Sequence, residues 1–152
     1  MKDLIETWYI HDRINRYLLD AIDEVHFGDI SAAKGRNVWE LLAHIHNVRL
    51  MWLKVASPDL FTMQTKIEKD DLTSKLVLSG LLKQSGEAIG KLLEKGFTEG
   101  KIKGFKPHPA AFLGYLISHE SHHRGQIMVV LKECGHKIDQ KTAYGLWEWG
   151  SR

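Results

Sequence analysis

Apolar side chains recur along this chain every three or four residues in four separate blocks, which is the spacing of amphipathic helices. Polar or glycine-rich segments separate each block from the next. The pattern therefore predicts four helices, over about residues 4–25, 38–56, 72–94 and 109–134. The polar, irregular segment 59–71 is predicted to be a long loop between the second and third helices.

Residues typical of helix ends mark several of these boundaries. Asn37 can cap the second helix, and Glu40, three positions later, can reach back to it in a capping box. Gly96 is predicted to end the third helix. Pro109 suits the first turn of the fourth, which is expected to stop at Gly135.

Four helices of this length, joined by connections of about 10–15 residues, are typical of a four-helix bundle. The chain has 152 residues, of which 43% are hydrophobic, so it is long enough to enclose a core of its own. We therefore predict an all-α fold, a four-helix bundle with long connections, in a single domain over residues 1–152.

Charge and cysteine content narrow the choice of partners and compartment. A net charge of +2 does not favour binding to nucleic acid or to a membrane surface. No stretch approaches the 18 apolar residues of a membrane-spanning helix. The N-terminal residues lack the apolar run of a signal peptide. Cys134 is the only cysteine, which rules out an intrachain disulfide and suits a reducing compartment. A cytoplasmic protein is the expectation.

The segment "HESHH" at 119–123 carries the most specific chemistry. His119 and His123 are one turn apart on a helix face whose other members are apolar, at 112, 116, 127 and 130. Two buried imidazoles without partners would leave unsatisfied ring nitrogens, whereas one divalent ion satisfies both. The alternative is that one ring bonds a backbone carbonyl and the other reaches solvent.

A metal site needs a third ligand, and one place to look is downstream. In a zinc-protease helix of the HExxH type, Glu120 would be the general base. The extended form of that motif fails, since Gln126 and Val129 stand where glycine and histidine are required. Glu133 and Glu148 are the remaining downstream carboxylates, and the chain lacks strands that could hold an extended peptide.

The second helix offers His44 and His46 upstream. Its apolar stripe centres near Ile45 and Trp52, so His44 lies about 80° from the centre and His46 about 120° away on the other side. His44 is therefore the better candidate to project into the bundle, and His46 is expected at the helix flank or in water. Three histidines with open positions make a site of the catalytic type.

The neighbours of this histidine pair have predicted roles of their own. Glu120 is a candidate base, or an acceptor that orients a histidine ring, or simply a solvated carboxylate. Arg124 can pair with Glu120 or bind an anionic substrate, and His122 is expected near the ligands or at the surface. Gly125 is expected to allow close helix approach, and Gln126 to cap a helix or carbonyl without a catalytic role.

The remaining histidines and aromatic residues receive simpler predictions. Trp8 and Trp52 are expected in the core, and Cys134 has no visible activation as a catalytic thiol. Surface or capping positions are expected for His11, His26, His108 and His136. Three aromatic residues of the C-terminal tail are expected to cover the bundle or a dimer partner, or to wall the site: Tyr144, Trp147 and Trp149.

Two segments together, "LLAHIHNVRLMWL" and, about 75 residues later, "HESHHRGQI", resemble the DinB superfamily of small metal-binding four-helix bundles. The H-x3-H-R-G-Q-I segment is the specific part of the resemblance, which covers most of the chain. It implies three metal-binding histidines, here His44, His119 and His123, and a divalent ion such as zinc or nickel. It also implies a homodimer.

Activities known in that superfamily include transfer of a low-molecular-weight thiol to an electrophile and a thiol-dependent isomerisation. The resemblance therefore implies a metal-dependent enzyme acting on a small-molecule substrate, with thiol transfer favoured and a thiol as co-substrate. One alternative is a hydrolase that uses metal-activated water. The other is a dimeric binding module without catalytic activity.

Overall fold

The structure is a computed structural model that describes residues 1–69, 71 and 74–152. Four long helices dominate it, with two short α-helices and two 3-10 turns between or after them. In chain order the α-helices are α1 (Lys2–Ala21), α2 (Val38–Ala56), α3 (Pro58–Phe61), α4 (Lys75–Glu99), α5 (Pro109–Glu133) and α6 (Gln140–Gly145).

The long helices α1, α2, α4 and α5 pack against one another in every neighbouring pair, which confirms the all-α four-helix bundle. Within residues 1–69, 71 and 74–152, extended pairing is limited to one isolated bridge between Ile102 and Phe105. This bridge lies in the glycine-rich connection between α4 and α5. Among the described helices, none combines the length and apolarity needed to cross a bilayer.

The helix starts follow the predicted capping chemistry. Asn37 Oδ1 accepts a hydrogen bond from the Glu40 amide at 2.8 Å, and Glu40 Oε2 accepts one from the Asn37 amide at 3.0 Å. This capping box fixes where α2 begins. At α5, His108 Nδ1 accepts from the Ala111 amide at 3.2 Å, which confirms a capping role for His108.

The predicted end of the third helix is wrong. Helix α4 runs through Gly96 and ends at Glu99, where Gly100 takes a left-handed conformation with φ 73°. A Cβ at position 96 would clash with the Ile102 side chain, so Gly96 is needed for packing rather than for a turn. The predicted start at Leu72 lies outside the described residues.

Two other boundaries differ from the pattern. Helix α1 ends at Ala21, four residues early, because Ile22 is extended and Asp23 caps a separate 3-10 turn over Glu24–His26. The segment predicted as loop 59–71 begins with part of the short helix α3, started by Pro58.

The core consists of two apolar clusters, one toward each end of the bundle. The first is built from residues such as Leu18, Leu42, Leu82 and Ile127, and the second from residues such as Trp8, Leu53, Ile89 and Leu116. Trp8 is fully buried, as predicted, whereas Trp52 is half-buried.

A layer of buried polar side chains separates the two clusters. In each long helix these residues fall where the segment that feeds one cluster gives way to the segment that feeds the other. We refer to them as the polar layer: His11, Asp12, Asn15, Arg49, Ser85 and Glu120.

Candidate metal centre

Helices α2 and α5 bring three histidines together beside the polar layer. His44 comes from α2, and His119 and His123 from successive turns of α5. Ring centroids lie 5.3 Å apart for His44 and His119, 4.6 Å for His44 and His123, and 4.5 Å for His119 and His123. One ring nitrogen from each lies within 4.8 Å of the others.

The donor atoms fit one divalent ion. His119 Nε2 and His123 Nε2 are 3.1 Å apart. Two nitrogens in a tetrahedral zinc site, each at about 2.0–2.1 Å from the ion, would be separated by roughly 3.3 Å. Gln126 Oε1 lies 2.7 Å from His123 Nδ1, and because an amide oxygen only accepts, Nδ1 carries the proton and Nε2 keeps its lone pair.

The surroundings keep these imidazoles neutral, which is the form that binds metal. Burial, with Arg36 and the two other histidines, lowers the pKa of His44 to about 4. Burial and the neighbouring His123 lower the pKa of His119. Burial also lowers the pKa of His123, against the opposite effect of the hydrogen bond that His123 donates to Gln126.

The residues beside the centre only partly follow their predicted roles. His122 is exposed, which agrees with a surface position, and its ring centroid lies 5.1 Å from that of His123. Gly125 faces open space, so the prediction that it allows close helix approach is wrong. Gln126 holds a histidine ring instead of capping a helix, a contact that its i+3 spacing from His123 could have indicated.

Glu120 is 1% exposed, which excludes the solvated alternative. Its two carboxylate oxygens accept from Arg49 Nε at 2.7 Å and Arg49 Nη2 at 2.8 Å. Oε2 also lies 2.6 Å from Asn15 Nδ2 and 3.0 Å from His11 Nε2. Burial disfavours the charged carboxylate, yet Arg49 outweighs burial and holds the pKa of Glu120 well below its usual range.

Arg49 is the central residue of the polar layer, and the sequence pattern did not lead to its prediction as a buried group. It is fully buried and also donates to Asp12 Oδ1 at 2.8 Å, so it joins α2 to both α1 and α5. Its position continues the apolar stripe of Leu42 and Ile45 at helical spacing, and a charged residue on such a stripe signals a buried partner.

Two histidines predicted at the flank or surface are buried. His46 is 0% exposed, with Nδ1 3.0 Å from Ser85 Oγ and Nε2 2.8 Å from the Thr65 carbonyl oxygen. His46 does lie beside the inward face, but it does not face water. His11 is also 0% exposed and contacts Glu120. The polar partners of His46 and His11 come from other helices or loops, and the helical spacing of apolar residues does not predict such contacts.

A second cluster joins the 3-10 turn after α1 to the segment after α5. His26, Asp29 and His136 offer nitrogen and oxygen atoms within 4.8 Å of one another. The rings of His26 and His136 stack at 3.6 Å with planes 19° apart, and His136 Nδ1 is 2.6 Å from Asp29 Oδ2. Imidazole lone pairs lie in the ring plane, so two stacked rings do not point at one ion. We interpret the cluster as a surface stack, in agreement with the predicted surface positions.

Helix bundles build metal sites from side chains on facing helices, and these three histidines come from two helices that pack against each other. The model of the DinB family matches residues 1–149, so the chain belongs to the DinB family. No curated protein matches the chain.

Proposed function

We propose that this DinB-family protein binds one divalent metal ion, zinc or nickel, through His44, His119 and His123, and uses it to act on a small molecule. The observation that carries the proposal is the convergence of three neutral imidazoles from two helices on one point. Three protein ligands leave at least one position open for a substrate, which is typical of catalytic rather than structural sites.

We infer that the reaction is transfer of a low-molecular-weight thiol to an electrophile. A divalent ion held by these histidines would lower the pKa of a thiol sulfur and so supply a thiolate at neutral pH. The carbon–sulfur bond then forms as the leaving group departs with its bonding electron pair, and the thiol proton passes to solvent.

Two cavities that share Arg36 support a small, anionic reactant. One of about 400 Å³ includes His44, Arg36 and Lys66 among its lining residues. Another, of about 690 Å³, is lined in part by Lys34, Arg36 and Gln126. Arg36 is exposed and borders both cavities, so we assign it to bind an anionic group of the thiol or the electrophile.

Glu120 is assigned a positioning role and not that of a base. Its carboxylate is occupied by the Arg49 guanidinium and has a depressed pKa, so it is a poor acceptor for a proton from water. Glu120 therefore supplies no base for hydrolysis by metal-bound water, whereas a thiol, which is far more acidic than water, needs no such base.

The metal itself is tested first. We expect about one zinc or nickel ion per chain by elemental analysis after reconstitution, and its loss in His44→Ala, in His119→Ala and in His123→Ala. His122→Ala is the matched control, because this exposed histidine sits on the same helix beside a ligand. Metal retained in all three ligand variants would overturn the assignment, and no metal in the wild type would favour a binding module.

The reaction is tested with the metal-loaded protein, using cysteine as the thiol and monobromobimane as the electrophile. We expect a metal-dependent rate that His44→Ala loses. Lys132→Ala, an exposed change on α5 outside the lining of both cavities, should retain it. Hydrolysis of p-nitrophenyl acetate without any thiol, with no thiol transfer, would instead support the hydrolase alternative. The homodimer stays a prediction from the family, and sedimentation velocity would test it.

A further inference from the structure

A second cavity of about 310 Å³ lies on another flank of α5, against the C-terminal segment. Its lining combines one arginine with apolar and aromatic side chains: Arg124, Met128, Leu146, Trp147 and Trp149. None of His44, His119 and His123 is among its lining residues, so it is separate from the metal centre. Its volume is at the small end of the range for ligand pockets, which suits a compound with a single ring.

Arg124 is the cation of this cavity, and its hydrogen-bond partners in the described part of the chain are neutral. Nη1 donates to Asn15 Oδ1 at 2.5 Å and Nη2 donates to Ser121 Oγ at 3.0 Å, and both acceptors are neutral. Among the residues that the structure describes, no carboxylate oxygen lies within 4 Å of Arg124. By contrast, Arg49 contacts two carboxylates.

The charges around Arg124 do not balance. The polar layer and the arginines bonded to it carry three guanidinium groups, on Arg16, Arg49 and Arg124, against two carboxylates, on Asp12 and Glu120. One positive charge is therefore left over, and it falls on Arg124, because Arg16 and Arg49 contact the carboxylates and Arg124 contacts only neutral oxygens. An anion placed at Arg124 would remove this imbalance.

The unused donors of Arg124 reach the cavity. A guanidinium has five N–H donors, and the two bonds described above leave Nε–H and one hydrogen on each Nη. Within the described part of the chain, no Arg124 nitrogen is both shielded from solvent and without a partner. Nε has no protein partner there and is consequently exposed to solvent, and Arg124 is a lining residue of the cavity, so its free N–H groups can bind a planar carboxylate.

The opposite walls suit the apolar part of such a ligand. Trp147 is 80% exposed although it is a large aromatic residue, and Trp149 is half-buried beside it. Met128 and Leu146 add aliphatic surface. Exposed indole surface next to a partly buried cation favours a ligand with an aromatic body and one acidic group.

We propose that this cavity is a binding site for a small aromatic monocarboxylate, with Arg124 binding the carboxylate and Trp147 and Trp149 contacting the ring. The site does not depend on the proposed metal or reaction. Its occupant is recognised by a forked charge-assisted hydrogen bond at one end and aromatic packing at the other.

The test compares 3-phenylpropionate with its neutral counterpart 3-phenylpropionamide by isothermal titration calorimetry. It uses the His119→Ala/His123→Ala variant, which prevents binding of the carboxylate to a metal ion, and the wild type in parallel. We expect the acid to bind at least tenfold tighter than the amide in both proteins. Equal binding of acid and amide, or an acid preference lost in His119→Ala/His123→Ala, would overturn the proposal.

Variants of the cavity provide the second measurement. Arg124→Gln should abolish the preference for the acid, whereas Arg36→Gln, at the other cavity, should keep it. Since Arg124→Gln also loses the bond to Asn15, Trp147→Ala serves as a variant in an exposed position. It should weaken both ligands severalfold and leave the acid-to-amide ratio unchanged. Equal loss of preference in Arg36→Gln and Arg124→Gln would show that only general positive charge was measured.

Discussion

Gln126 lies one turn after His123 on α5, with its side-chain oxygen 2.7 Å from Nδ1 of that histidine. The contact fixes which ring nitrogen carries the proton and holds the ring with Nε2 toward His119 and His44. An exposed residue outside the three histidines thus sets the geometry of the donor atoms.

Replacing Gln126 with leucine should weaken metal binding without unfolding the protein. Loss of such a partner of a metal-binding histidine typically costs about 10–100-fold in affinity. Because Gln126 is exposed, the free energy of unfolding of the metal-free protein should change by only about 0.5 kcal/mol. Competition with a zinc chelator measures the affinity, and Gln140→Leu, in an exposed position of α6, is the control. An unchanged affinity in Gln126→Leu would show that the hydrogen bond has no part in the site.

Zinc should stay bound at a pH where free imidazole is already protonated. Protons compete with metal only near the pKa of each histidine in the folded protein, and for His44 that value is about 4 instead of about 6.5. At pH 6 we therefore expect the bound zinc to be retained, with release at lower pH. Dialysis against buffers from pH 7 to 4, followed by elemental analysis, gives the midpoint. A midpoint at or above 6.5 would contradict the lowered pKa values.

The lowered pKa of His44 also affects the stability of the metal-free protein. A histidine whose pKa is lower in the folded protein binds its proton at higher pH in the unfolded chain. Its contribution to the free energy of unfolding is therefore complete above about pH 6.5 and is lost as the pH falls toward 4. His46, with a pKa also near 4 because of burial, acts in the same direction. The free energy of unfolding, measured with urea, should fall less between pH 7 and pH 4.5 for His44→Gln than for the wild type.

Removing Arg49 from its buried ion pairs with Asp12 and Glu120 should destabilise the protein strongly. Arg49→Met leaves the carboxylates of Asp12 and Glu120 without their shared cation, and removal of one partner from a buried pair typically costs about 3–5 kcal/mol. Urea unfolding measures the change. Arg13→Met, which removes the exposed pair with Glu6 and a hydrogen bond to the Arg152 carbonyl oxygen, should cost at most about 1 kcal/mol. Similar small costs for both arginine variants would show that the buried pair adds little.

Gly80 and Gly86 of α4 allow a second test of the polar layer, by adding a Cβ atom at each position. A Cβ at Gly86 would collide with the Asp12 carboxylate and push it from Arg49, so Gly86→Ala should destabilise the protein. Gly80 faces open space in the same helix, and Gly80→Ala should raise stability by up to about 1 kcal/mol. Thermal unfolding compares the two. Equal stabilisation by both changes would mean that Asp12 moves aside without cost.

Local sequence was sufficient for features that depend on neighbouring residues. The capping box of Asn37 and Glu40 and the ends of α5 follow from backbone hydrogen bonding within a few positions. The His119 and His123 spacing likewise follows from one helix, while the choice of His44 over His46 came from its angle and from the family resemblance.

The rest depends on contacts between helices. His11 and Arg49 were missed because a polar side chain is buried only when its partners come from elsewhere in the fold. Gly96 was misassigned for a similar reason, since the Ile102 side chain that occupies the space beside it arrives from a later segment. Periodicity records which face is apolar, and it carries no information about what approaches that face.

The polar layer across the middle of the bundle has a consequence for how the helices can slide. Apolar clusters alone specify the alignment of a helix less strictly, so they oppose a shift by one turn, about 5.4 Å, less than directional contacts do. Such a shift would separate Arg49 from Asp12 on α1 and from Glu120 on α5. The ion pairs therefore single out one vertical alignment of α2 and α5. A redesign that fills the layer with leucine could gain melting temperature and yet lose the alignment that brings His44 opposite His119 and His123.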